Sequence, residues 1–365
     1  MKKIICAVLC LIICLFALTS CGEDLIGEVP PSYEPHRPKP VEKISLNMYI
    51  VCGDETTDNA KKTVAQRITQ YTEDKFNTNL VVYFVSESDY ATTIAEKTAV
   101  GAENRADIIL INSEDMFNSL KGANLLADLS KYYEGNTYGK LNVSINSALL
   151  EMSRVDDGKL YTVPNNHHFG EYKYIKVSVD VAKRYYKSAQ TVKETYTTPE
   201  SIEELKTLMR NDTEMAYTDE QINSLVCVVS GRYEDKAAIE ASGFYCNVSK
   251  APVATTADAF ASAFAIVAGS NVDRAMEIVY DINGTGYKTA DKAELRNLLQ
   301  YGILGTNYLV DEESGDIIPF TDGNNVYSMN LNYTGDVFKA MFCEEIGWTK
   351  VAYDNTKKHI DAANN

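Results

Sequence analysis

From Ile44 onward the apolar positions follow two periods that take turns along the chain. Ile44, Leu46, Met48 and Ile50 alternate with Ser45, Asn47 and Tyr49, the two-residue period of a half-buried strand, which ends at Cys52-Gly53-Asp54. Val64, Ile68 and Tyr71 then recur at three- and four-residue steps, predicting a helix from Asn59. Residues 79–85 are β-branched and aromatic and predict a second strand, and Ser88-Asp89-Tyr90 opens a helix through Lys97. Residues 107–112 form a short apolar run suited to a strand buried on both faces. Ser113 is placed to cap the next helix and Gly122 to end it, after which residues 125–129 return to the surface. Strands alternating with helices predict a parallel sheet with helices on its faces.

The second half repeats the alternation less cleanly. Asp157-Gly158 predicts a tight turn, residues 160–163 a strand, and Pro164 a stop to ladder pairing. Asn165-Asn166-His167-His168 then leads into a strand over residues 173–179. Thr198 is suited to an N-cap, with Pro199 at the first helical position and Glu200 in the first turn. Residues 259–267 read as a strand, 271–282 and 291–300 as helices, and 308–318, with Ser314-Gly315-Asp316 inside, as a hairpin. There is no internal repeat.

The N-terminus changes the setting of this fold. Lys2 and Lys3 precede an apolar run over residues 4–18, then Leu18-Thr19-Ser20-Cys21-Gly22. A basic start, a short apolar stretch and small residues before a cut are the parts of a secretory signal peptide, residues 1–20. The run is shorter than the ~20 residues that span a bilayer as a helix. The Leu-Thr-Ser-Cys string resembles the lipobox of bacterial lipoproteins, which implies a diacylated Cys21. Residues 21–43 hold Pro30, Pro31, Pro35, Pro38 and Pro40 among polar residues, an extended spacer between lipid and fold. The remaining length exceeds the ~250–300 residues at which one core stops growing, so two lobes are expected. With 51 acidic against 35 basic residues the net charge is −16, which suits neither nucleic acid nor an anionic lipid surface. Past Cys21 come Cys52, Cys227, Cys246 and Cys343, too far apart for a zinc site or a disulfide scaffold. Cys227 and Cys246 can pair in an oxidising compartment, or all four stay thiols.

Several strings now combine. They are the lipobox, DIILIN with its GANLLADL return, DGKLYTVPNN before KYIKVSV, TPESIEELK, NVDRAMEIVYDIN, and ELRNLLQYGILGTNY leading to YSMNLNYTG. In this order, over residues 44 to 350, the chain resembles the extracellular solute-binding lipoproteins of ABC importers, the family 1 kind. The resemblance implies an α/β periplasmic-binding-protein type II fold. Two lobes, each a mainly parallel sheet flanked by helices, are joined by crossing hinge strands. Residues 44–164 with about 264–324 make the first lobe, and about 172–257 with 325–365 the second. The crossings are expected near residues 164–172, 257–263 and 325–332. Relatives continue beyond the Gly347-Trp348 segment with further helices, so the second lobe is expected to be short of them.

What the resemblance implies for function is a monomeric receptor on the outer face of the bacterial cytoplasmic membrane, lipid-anchored, with no cofactor. It captures a small solute and hands it to ABC permease subunits; a carbohydrate is favoured, a peptide or amine being the alternative. Open α/β sheets bind beyond the carboxyl ends of their strands, which picks Gly53, Asp54 and Glu55, Ser86 and Ser88, and Asn112 and Ser113. Asn165, Asn166 and His167 lie where the chain crosses and are expected to face a ligand from the hinge. Amide and carboxylate groups suit sugar hydroxyls, and Tyr172, Tyr174, Tyr327 and Trp348 are suited to stack on a sugar face. Against this, loop Asn and Asp are commonly turn formers or caps, and most of the 24 tyrosines must be core or surface.

Three other chemistries are weaker. Adjacent strand residues point to opposite faces, so His167 and His168 do not readily share a metal. Residues 281–286 match the first half of a calcium loop, but Lys292 stands where the closing carboxylate belongs, and a Gly-rich turn accounts for the same string. No GxSxG, HExxH or P-loop pattern occurs. Asp54, Glu55 and Glu171 leave open a surface glycan-active enzyme, and a shortened second lobe leaves open a surface module that transports nothing.

Overall fold

The computed structural model describes residues 42–134, 141–155, 157–232, 235–284 and 289–363. The signal peptide, Cys21 and nearly all of the spacer lie outside the described residues.

The first lobe is built on a five-stranded sheet in the order β2-β1-β3-β8-β4. The alternating segment forms β1 (Ile44–Cys52), which pairs in parallel with β2 (Thr78–Ser86) along its whole length. Between them runs α1 (Asp58–Phe76), started by the Thr57 side chain accepting the Ala60 N–H and closed by Asn77 in the left-handed region at φ 51°. Next come α2 (Glu87–Lys97), the fully buried β3 (Ile108–Ile111), and α3 (Glu114–Gly122). Three short helices, α4 (Ser130–Tyr133), α5 (Leu141–Ser144) and α6 (Ser147–Met152), lead to β4 (Thr162–Pro164).

The chain then leaves for the second lobe, whose sheet has the order β6-β5-β7. Strand β5 (Glu171–Ser178) is followed by α7 (Val179–Arg184), α8 (Ala189–Thr195), α9 (Glu203–Arg210) and α10 (Asp219–Leu225). These helices cover one face through Val181, Val192, Leu205, Met209 and Ile222, packed on Ile175, Val177 and Val226. Strand β6 (Val226–Gly231), α11 (Asp235–Ala241) and β7 (Phe244–Val253) follow. Both β6 and β7 run antiparallel to β5, which corrects the expectation of a mainly parallel sheet in this lobe. The excursion through α7–α10 returns the chain to the end of β5 that it left, so β6 runs back along it. Helix α11 then carries the chain over β5, and β6 and β7 flank it in the same direction.

The same register settles the cysteines. Cys227 and Cys246 stand on either side of Lys176, two strand spacings or about 10 Å apart. A disulfide requires Cα atoms within about 7 Å. Cys52, Cys227, Cys246 and Cys343 are free thiols.

After α12 (Thr256–Ala261) the chain re-enters the first lobe as β8 (Ala263–Ile266), antiparallel to both β3 and β4. The run expected as one strand over 259–267 is therefore a helix end and a short strand. Its cause is a capping box in which the Thr255 hydroxyl takes the Asp258 N–H while Asp258 takes the Thr255 N–H. Helices α13 (Val272–Ile282) and α14 (Glu294–Tyr301) complete this lobe's core through Ile278, Ile282, Leu295 and Leu299. A small hairpin, β9 (Tyr308–Val310) with β10 (Ile317–Pro319), follows. Asp281 ends α13 bonded to Lys75 Nζ at 2.8 Å and to the Tyr71 hydroxyl at 2.9 Å, so it is spent on structure; residues 285 and 286 of the calcium-like string lie outside the described residues.

The stretch expected to open the second lobe at Asn325 is instead tied to the first. Gly53 N–H donates to Ser328 O, Thr57 N–H to Val326 O, and Tyr327 and Met329 sit in the first lobe's core. The last helix, α15 (Lys350–Ala363), lies across the junction. Ile360 packs with Leu149 of α6 and Phe169, and Ala362 packs on Tyr172, Tyr174 and Cys246 of the second sheet. That helix covers a face the sequence predicted to be short of cover.

Tyr90 ties this architecture at its centre. It is fully buried, its hydroxyl lies 3.0 Å from Tyr49 O and 2.9 Å from Leu110 O, and it accepts the Leu110 N–H at 2.8 Å. Tyr90→Phe leaves buried backbone groups of β1 and β3 unsatisfied and is expected to lower the unfolding free energy by about 1–3 kcal/mol, read from urea denaturation midpoints.

Candidate functional site

The carboxyl ends of β1, β2 and β3 form a rim at which α1, α2 and α3 begin. Asp54 and Glu55 are exposed in the turn after β1. The Ser328 side chain bonds the Glu55 carboxylate and holds it below the ordinary range. Ser328 N–H in turn donates to the Thr56 hydroxyl, which donates back to Ser328 O. A Cβ at Gly53 would lie 2.9 Å from Ser328 Oγ and press on the Glu55 carboxylate, so a larger residue there would have to displace both side chains.

At the neighbouring strand ends the Asn112 amide donates to Glu87 Oε1 at 2.9 Å and also bonds the Tyr333 hydroxyl. Burial and the Glu87 carboxylate both raise the pKa of that hydroxyl. Beyond it, the Thr256 hydroxyl donates to Glu114 Oε1 at 2.7 Å and ties α12 to α3. Ser113 caps α3, its hydroxyl oxygen accepting the Met116 N–H, which is the plain role weighed against ligand binding.

The hinge residues are inside the protein. Asn165 is fully buried; its amide donates to Ser262 Oγ at 2.9 Å and Asn332 O at 3.3 Å, while its Oδ1 has no hydrogen-bond partner among the described residues. Asn166 donates to Ser144 O at 2.6 Å and accepts the Asn146 N–H at 2.8 Å. His167 Nδ1 lies 2.8 Å from Asn165 O. His168 turns its ring onto His359 of α15, with centroids 4.3 Å apart, and His359 Nε2 lies 2.8 Å from Gly170 O.

The aromatic candidates are also internal, which corrects their expected role. Tyr327 donates to Leu299 O in the first core, with its ring edge-on to Phe84. Trp348 is buried among Val337, Ala340, Phe338 and Tyr353. Tyr172 stacks on Tyr174 and meets His359 edge-on at 5.0 Å. Tyr327 and Trp348 are buried in cores, while Tyr172, itself buried, lines with Tyr174 and Lys236 a groove on the second sheet. Among the described residues no cluster of three or more His, Cys, Asp or Glu forms a metal shell.

The structure thus brings together Asp54, Glu55 and Asn112 on one rim, and adds Glu87, Ser328 and Tyr333, which the sequence reading passed over. Glu87 lies between the two serines picked after β2, so the strand-end rule reached its neighbourhood. Arg232, exposed at the end of β6 and facing His167 and His168, is a further candidate from the second lobe.

No protein-family model and no curated protein matches the chain. Solved structures do. The N-glycan transport solute-binding protein of Streptococcus pneumoniae in complex with Man1GlcNAc is 17% identical, with a TM-score of 0.53 over 88% of this chain and 84% of that one. The same protein without a named ligand is 16% identical, and with Man5GlcNAc 17%, each with a TM-score of 0.54 over 88% of this chain and 83% of that one. The chain has the fold of the extracellular solute-binding proteins. In this two-lobed type II fold the described rim is the first lobe's edge, and residues 165–170 carry the chain across to the second.

Within that solute-binding fold the hinge histidines give a pH signature. Burial, with His359, Arg232 and His167 adding and Asp235 opposing, pushes His168 down to about 3. An unfolded histidine titrates near 6.5. Between those values the unfolded chain holds the extra proton, so stability present above about pH 6.5 is lost as pH falls toward 3. The melting temperature is expected to drop from pH 7 to pH 5, above the range where most carboxylates titrate, and His168→Asn to flatten that drop in a differential scanning series.

Proposed function

We propose that the protein is the substrate-binding component of an ABC importer, held outside the membrane by a diacylated Cys21, that encloses a carbohydrate between its lobes and delivers it to permease subunits. The observation that carries this reading is the likeness, at a TM-score of 0.53–0.54 over 88% of the chain, to the N-glycan transport solute-binding protein in complex with Man1GlcNAc and with Man5GlcNAc. The rim supplies matching chemistry. Asn112 donates and accepts, Glu87 and Glu55 accept, and the Tyr333 hydroxyl does both, which suits vicinal sugar hydroxyls. A ligand that bridges rim and second lobe shifts the hinge toward the closed state by its differential affinity for that state. Two acyl chains suffice for stable anchoring where one does not.

Two experiments test the reading. In a thermal-shift screen of neutral oligosaccharides, a ligand at 100 times its Kd adds about 2.7 kcal/mol to native stability. Asn112→Ala is expected to weaken the best ligand about tenfold, a loss of about 1.4 kcal/mol. Cooperative melting with no sugar response, or cleavage of the glycan, refutes the receptor role. For the anchor, Cys21→Ser is expected to move the protein from the membrane fraction to the medium and to abolish labelling by radioactive palmitate; an unchanged distribution sinks that part alone.

A further inference from the structure

Asn165 and Asn166 point to opposite sides of the first crossing. Asn165 bonds Ser262 and Asn332 beside the rim, whereas Asn166 bonds Ser144 and faces α5 and α6. On the Asn166 side lies a groove of about 600 Å³, within the range of small-molecule sites. It is walled by α5 and α6, by the third passage at Asp336 and Lys339, and by Tyr353, Lys357 and Asp361 of α15. Its floor is built rather than incidental. Asn166 and Asp336 are each more than nine-tenths buried, and Asp336 Oδ1 accepts the Phe338 N–H at 2.9 Å.

The charges select the ligand. Lys339 and Asp361 already have partners, and the Asp336 carboxyl is met inside the fold by the Phe338 N–H, the Asn166 side chain and the nearby Arg296 and Lys339. Among the described residues Lys357 has no ion pair, and it is exposed at the groove. One uncommitted ammonium beside two aspartates suits a singly charged anion; a phosphate dianion would meet both carboxylates. Asn142, Asn146, Ser147 and the Tyr353 hydroxyl offer hydrogen bonds around it, and Phe338 and Ile360 an apolar wall. We propose that this groove is a second ligand site, separate from the rim, for a small hydroxylated carboxylate of the sugar-acid class.

Isothermal titration of the purified protein with D-galacturonate and with D-galactose tests this. Galacturonate is expected to bind at least tenfold more tightly than galactose, one per chain. Lys357→Ala is expected to bring the two within twofold, and Lys357→Arg to restore the difference. Asn112→Ala, at the rim, is expected to leave galacturonate binding unchanged. No binding of galacturonate, equal binding of the two sugars, or binding that survives Lys357→Ala overturns the proposal. So does loss of galacturonate binding in Asn112→Ala, which moves it to the rim. None of these results bears on capture of neutral oligosaccharides at the rim, so the two readings fail separately.

Discussion

A four-residue strand, β8, brings the returning chain into the middle of the first sheet, where it has to pair on both edges. Ala263 to Ile266 are at most 1% exposed, and a dry backbone at that depth must spend every N–H and C=O on a neighbour. Pairing with β3 on one side and β4 on the other does so. The second lobe is therefore an interruption of the first sheet, not an appendage at its end. Pro164, where the chain leaves, and Ala263, where it comes back, are register partners on adjacent strands, about 5 Å apart.

One backbone bond continues past Pro164, the Asn165 N–H donating to Ser262 O at 3.0 Å, and side chains extend the tie from there. Asn165 reaches Ser262 on the second passage and Asn332 on the third. Asn166 O accepts the Val337 N–H, and the fully buried Arg296 donates through Nε to Asp336 O at 3.0 Å. The three passages are thus bonded to one another, not only to their lobes. Helix α15 adds an outer layer, with Ile360 on α6 and His359 on Gly170. This stacking buries His167 and His359 and leaves His168 half-buried against them, which is the basis of the acid sensitivity expected at the junction.

How much of this was legible from residues depends on how local each cause is. The strict alternation from Ile44 to Ile50 marks β1 because a half-buried strand imposes its period on consecutive side chains. The Ser113 cap is equally local, and so is the Thr57 cap, which the sequence reading did not pick out. Residues 259–261 looked like part of a strand because apolar content outweighed a capping box that was visible as Thr255 and Asp258. The antiparallel second sheet was not legible, since strand direction depends on the path of four helices and leaves no trace in the strands. The aromatic sites failed for a related reason. Whether Tyr327 or Trp348 meets solvent is decided by Phe84, Leu299, Phe338 and Tyr353, none of which sequence spacing places beside them. Asn112 survived as a rim residue because a strand's carboxyl end is a position the topology fixes in advance.

The internal aromatics alter what the rim can discriminate. A stacking platform accepts any ring with an apolar face, whereas Asn112, Glu87 and Tyr333 hold one another in a fixed arrangement before a ligand arrives. Polar groups committed in this way reject a partner that lacks a matching hydroxyl, because the unmatched donor or acceptor stays desolvated. In the proposed sugar-binding role, selectivity at such a rim would come from hydroxyl pattern more than from ring size. The same bonded layer of Asn165 and Asn166 also has the rim on one side and the groove on the other.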